Sequence, residues 1–94
     1  MKRLILQDDK RCFICGAKGV NLHHHEIFFG SSNRKKSIKW GLQLWLCPQH
    51  HNLGNYSPHH NHSVDLELKR YGQRRFEEVY GHDKFMEIFH KNYL

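Results

Sequence analysis

No run of apolar residues in this chain approaches the roughly 18 needed to cross a bilayer, and Met1 to Lys10 lacks the apolar centre of a signal peptide. Neither a membrane span nor a secretory leader is expected, and the expected compartment is the cytoplasm. Apolar material is scarce throughout: 38% of the 94 residues are hydrophobic and the mean hydropathy is −0.79. A domain of this length buries only about 60–65% of the surface its unfolded chain exposes, so packing alone leaves it marginal. Small domains answer this with disulfides or a structural metal. Cysteine is also scarce, at three residues, which allows at most one intramolecular disulfide and leaves an odd thiol. In a reducing cytosol such thiols read as metal ligands before disulfides. No repeat, low-complexity stretch or linker divides the chain, so a single domain over residues 1–94 is expected.

Histidine and positive charge are abundant. Ten histidines exceed anything core packing requires, and fifteen Lys and Arg against nine Asp and Glu give +6. A pI near 9.4 suggests a polyanionic partner, most simply a nucleic acid.

Val20 to Phe29 is β-prone at its ends, with three histidines in the middle. Gly30-Ser31-Ser32-Asn33 marks a turn, and Arg34-Lys35-Lys36 adds a basic cluster to the loop. Leu42 to Leu46 predicts a second, largely buried strand that delivers the chain to Cys47. Together these predict a β-hairpin with a long tip. Ser63 is the expected N-cap of a following helix, with Val64, Leu68, Tyr71, Phe76 and Val79 on its inner side and Gly81 ending it. Gly72 lies inside this helix at a cost of about 1 kcal/mol relative to alanine. Asp83 is placed to cap a short last helix that turns Phe85, Ile88 and Phe89 to the core.

Cys12-x2-Cys15 and Cys47-x2-His50 form two ligand pairs separated by 31 residues. Zn²⁺ takes four soft or borderline ligands in a tetrahedron, and two such knuckles supply them from either end of the hairpin, as in a treble clef. All three cysteines are then used. A structural site of this kind contributes on the order of 10 kcal/mol to folding. The surplus imidazoles His23, His24, His25, His51, His59 and His60 imply a second, open metal site, whereas His62, His82 and His90 read as solvated. On an extended chain His23 and His25 share one face and His24 takes the other, so the three cannot serve one ion without a bulge.

Cys12-x2-Cys15, then His24-His25-Glu26-Ile27, then Leu46-Cys47-x2-His50-His51-Asn52 resembles the HNH nuclease pattern. The segments Asn33-Arg34-Lys35-Lys36-Ser37 and His59-His60-Asn61 are similar to short HNH proteins of bacteriophage genomes, and the resemblance runs from about Cys12 to Arg75. It implies a small α+β fold of the ββα-metal type, with zinc knuckles around a hairpin followed by helices. It also implies a metal-dependent endonuclease that hydrolyses phosphodiester bonds in DNA. In that family a hairpin histidine acts as general base on water, and one divalent ion (Mg²⁺, Mn²⁺, Ni²⁺ or Zn²⁺) stabilises the phosphate.

Two registers carry these roles onto the chain. The first takes His25 as base and His24 as hairpin ligand; the second takes His25 as ligand and Glu26 in the base position. His51 is assigned to the catalytic ion, with His60 as third ligand and His59 its rival. The family's middle asparagine has no clear counterpart, since Gly41 stands close to its place and Asn33 is the nearest substitute. Arg34, Lys35, Lys36 and Lys39 are candidate phosphate contacts, with Arg70, Arg74 and Arg75 on the helix. Trp40 and Trp45 are expected to pack rather than to stack on bases. Implied partners are DNA and a larger phage or host complex that supplies targeting. The rival reading is a zinc-stabilised module that binds nucleic acid or protein and cleaves nothing.

Overall fold

The computed structural model describes residues 3–19 and 21–94. Met1, Lys2 and Val20, the last being the expected start of the first strand, lie outside the described residues. The elements run β1 (His23–Glu26), α1 (Asn33–Trp40), β2 (Gln43–Leu46), a π-helical turn (Gln49–Leu53), α2 (His62–Tyr80) and α3 (His82–Phe89). This is a small α+β arrangement in which an antiparallel hairpin is followed by helices. No helix among the described residues is long and apolar enough to cross a membrane.

β1 pairs with β2 in the register His23↔Leu46, His24↔Trp45, His25↔Leu44 and Glu26↔Gln43. The first strand is shorter than expected because the chain changes partners beyond Glu26. The Ile27 N–H still donates to Leu42, but Phe28 bonds to a side chain: Ser37 Oγ accepts from its N–H at 3.0 Å and donates to its carbonyl at 2.7 Å.

That buried serine belongs to the main departure from the sequence reading. The hairpin tip is not a basic loop: Arg34, Lys35 and Lys36 lie on α1. Only Ser37 and Trp40 of this helix are buried, so its apolar periodicity is too sparse to read from sequence. Gly41 ends it in the left-handed region at φ +75, where an ordinary side chain is strained. A Cβ at this position would also stand 2.0 Å from the Leu4 carbonyl oxygen.

α2 starts earlier than expected. Its cap is Asn61, whose Oδ1 accepts from the N–H groups of Ser63 and Val64 at 3.0 and 3.3 Å, so Ser63 lies inside the first turn. Val64, Leu68, Gly72 and Phe76 recur every fourth residue and are buried. Val79 falls off this stripe and is 60% exposed, contrary to its expected inward placement. Gly81 ends α2 as expected, and its N–H donates to Glu77. The α3 helix begins at His82 with no side-chain cap, so Asp83 sits in the first turn rather than at the cap. Phe85 and Phe89 are buried, and Ile88 packs half-buried against the core.

The core joins hairpin to helices through aromatic rings. Phe28 lies 5.4 Å from Phe85 and 4.6 Å from Phe89, while Phe76 meets Trp40 at 5.5 Å and Phe85 at 5.7 Å. Gly72 lets α2 approach the end of the hairpin. A Cβ there would meet Ile27 Cδ1 at 3.1 Å and Phe28 Cε2 at 3.3 Å, both on fully buried side chains. The helix-propensity cost of this glycine is the condition of close packing. Gly72→Val is therefore expected to destabilise the fold by about 1–3 kcal/mol through overpacking. Urea denaturation checks this; an unchanged midpoint would show that the helix stands off the hairpin.

Candidate metal centres

The N-terminal segment runs beside β2 and places the first knuckle. Phe13 N–H donates to the Trp45 carbonyl at 2.8 Å, and Trp45 N–H donates to Gln7 Oε1 at 2.7 Å. Cys12 N–H donates to Ala17, and Gly16 N–H returns to Cys12 with φ +77, closing the tight turn that the CxxC spacing requires. The second knuckle forms where β2 ends, and the His50 N–H donates to the Cys47 carbonyl at 3.0 Å.

Cys12, Cys15, Cys47 and His50 thereby come together, with one ligand atom from each within 4.8 Å of the others. Cys15 Sγ stands 3.8 Å from Cys47 Sγ, and His50 Nδ1 stands 3.8 Å from Cys12 Sγ and 3.2 Å from Cys47 Sγ. Zn–S bonds of about 2.3 Å give a tetrahedron an S–S edge of about 3.8 Å, so the spacing suits an ion at the centre. The thiols are free rather than disulfide-bonded. Burial raises the Cys12 thiol, but backbone N–H groups at Cys15, Cys47 and Ile14 outweigh it and hold the group down at about 6. Cys47 is pushed up by burial and by the neighbouring sulfurs. Ionising all three sulfurs at this spacing would need a cation between them. The Cys₃His cluster could hold a metal ion such as zinc.

His51 follows His50 in the π-helical turn and faces the opposite strand. There it joins His25 and His59, again with one ligand atom from each within 4.8 Å. Ring centroids lie 5.4 Å apart for His25–His51, 5.4 Å for His25–His59 and 4.9 Å for His51–His59. His25 is 1% exposed, and its Nε2 is buried without a hydrogen-bond partner among the described residues. An orphaned polar atom of this kind needs a partner, and a cation between the three imidazoles would be one. Burial, followed by the charges of His51, His59 and Lys69, holds His25 down at about 3. Its ring is therefore neutral near neutral pH and keeps a lone pair for ligation. Burial and the nearby His59 and His23 lower His51 as well.

Other candidate residues are distributed as follows. His24 takes the outer face of β1 and stacks on Trp45 at 3.8 Å, away from His25 as strand alternation requires, so it does not join the cluster. Trp45 packs between His24 and Lys10, and Trp40 is core, as expected of both. Of the two rivals for the third position, His59 joins the cluster, whereas His60 Nε2 turns to the Asn52 carbonyl at 2.5 Å. Glu26 pairs with Arg34 Nε at 2.7 Å, and its charge reaches His51. Lys36 Nζ donates to the Ile88 carbonyl at 2.6 Å and so ties α1 to α3, while Lys35 and Lys39 are exposed. Asn33 opens α1, and Gly41 occupies a position that no asparagine side chain fits.

Neither register gives His23 a position, although it is one of the surplus imidazoles; its Nδ1 lies 2.9 Å from His51 Nδ1. The signal was available in the strand period, which puts His23 on the same face as His25. Lys69, bonded to Asp65 at 2.8 Å, stands 4.4 Å over the Phe29 ring, and that ring in turn meets His25 and His59.

No protein-family model matches the chain, and no curated protein or solved structure matches it either.

Because the two clusters share no residue, substitutions should separate them. Cys12→Ser is expected to abolish zinc retention and helical circular dichroism together, a loss on the order of 10 kcal/mol. His25→Ala should keep both. Retention of a cooperative thermal transition in Cys12→Ser without zinc would contradict a structural role for this cluster.

Proposed function

We propose that this chain is a metal-dependent endonuclease of the HNH, ββα-metal type, hydrolysing phosphodiester bonds in DNA. The observation that carries the reading is the trihistidine cluster beside the Cys₃His knuckles. One imidazole comes from a hairpin strand and two come from the segment just after the second knuckle. On this reading the knuckles are treble-clef-like and hold a structural Zn²⁺, while His25, His51 and His59 hold a divalent ion. Mg²⁺, Mn²⁺, Ni²⁺ and Zn²⁺ are the candidates, and a set of three imidazoles favours the later metals of that group over Mg²⁺.

The clustering of His25 with His51 and His59 supports the register in which His25 is a ligand and Glu26 stands in the base position. Arg34 Nε bonds one carboxylate oxygen of Glu26, and on this register the carboxylate accepts the proton of an attacking water. The water oxygen then bonds to phosphorus, the P–O bond to the leaving sugar oxygen breaks, and that oxygen takes up a proton. A divalent ion supplies positive charge that offsets the charge developing on the phosphate. Lys35 and Lys39, exposed on α1, add positive charge for the flanking strand. Such contacts position a duplex without reading its sequence.

A second reading, a zinc-stabilised binding module, draws on one observation: an asparagine cannot stand at Gly41 to orient a base. One assay separates the two. Purified protein with Mn²⁺ or Mg²⁺ is expected to nick supercoiled plasmid. Glu26→Gln should slow nicking by about 10²–10⁴-fold, and His25→Ala should abolish it, both with zinc retained. Wild-type protein that binds DNA without cutting it under any divalent ion would sink the nuclease and leave the binding module.

A further inference from the structure

We infer that His23 is a positioning residue that fixes the tautomer in which His51 can ligate. The inference rests on reading His25, His51 and His59 as a metal centre and does not need the nuclease chemistry. His23 is two residues before His25 on β1, opposite Leu46 and so level with the start of the second knuckle. Strand alternation turns it to the inner face, where its ring meets His51 at 5.0 Å between centroids and 80° between planes. The two Nδ1 atoms are 2.9 Å apart. His23 itself stands outside the group of three.

A neutral imidazole carries one N–H and one lone pair, so a hydrogen bond between two Nδ1 atoms has only two arrangements. If His23 donates, the proton of His51 sits on Nε2, and neither His51 nitrogen has a free lone pair. If His51 donates, its Nε2 lone pair is free and His23 accepts as the Nε2–H tautomer. Only the second arrangement is compatible with His51 as a ligand. Metal-bound histidines are usually held this way by a carboxylate, carbonyl or water, whose loss costs about 10–100-fold in metal affinity. Here a third strand-face position supplies the acceptor from the triple histidine itself. The sequence His23-His24-His25 thus divides into an outer partner, a ring on the opposite face and a ligand.

The test is Co²⁺ titration of zinc-loaded protein, followed by visible absorption, for wild type, His23→Leu and His23→Gln. Glutamine offers a carbonyl acceptor, whereas leucine fills similar space without one. His23→Leu is expected to weaken Co²⁺ binding about 10–100-fold with unchanged band positions, and His23→Gln to recover most of the affinity. Retained zinc and unchanged circular dichroism report an intact fold in both. Equal affinity in wild type and His23→Leu would overturn the inference. So would altered bands in both variants without rescue by glutamine, which would make His23 a ligand in its own right. Failure of wild type to bind Co²⁺ beyond its zinc would instead remove the trihistidine metal centre.

Discussion

Closing Cys12 and Cys15 against Cys47 and His50 is the constraint on which the rest of the site depends. The four side chains join a turn before the hairpin to the exit of its second strand. Packed at this distance, three sulfurs repel one another once ionised, so their fully ionised form needs positive charge between them. Its position also decides where His51 goes. Since His51 is the next residue after His50, whatever fixes the knuckle fixes the imidazole presented to the opposite strand. The π-helical turn that carries both is an uncommon geometry, frequent at functional sites.

The hairpin contributes the other half by simple alternation. A period of two sends His25 inward and His24 outward, and the same period brings His23 back to the inner side. Loss of solvent then keeps His25 neutral without tuning by any carboxylate, because protonation would place a charge among two other imidazoles and Lys69. Glu26, one residue further on, turns to Arg34 on α1. The helix in the hairpin tip therefore holds Glu26 through Arg34 and serves the fold through Ser37 and Trp40.

Much of this was legible in the residues because the relevant signals are short-range. The CxxC and CxxH spacings name all four members of the Cys₃His cluster, Leu42 to Leu46 shows the second strand, and Gly81 marks the end of the long helix. Less was legible where long-range contacts decide. The α1 helix has a basic first turn and no side-chain cap, and it is held by Ser37 bonding to Phe28 nine residues away, which no local pattern encodes. His59 and His60 lie in an aperiodic turn, so which one faces the cluster depends on the path of the backbone between Gly54 and Asn61. Gly72 reads as a flaw in a helix until Ile27 and Phe28 are placed against it.

The central claim is that two separate centres, one of three cysteines and His50 and one of three imidazoles, are linked through the adjacent residues His50 and His51. Native mass spectrometry of wild type and His51→Ala, after a chelator wash and again after divalent salt is returned, counts the ions directly. The account predicts one zinc that survives the wash in both proteins, and a second ion that returns to wild type alone. A single ion in wild type under every condition, or loss of the retained zinc in His51→Ala, would contradict it.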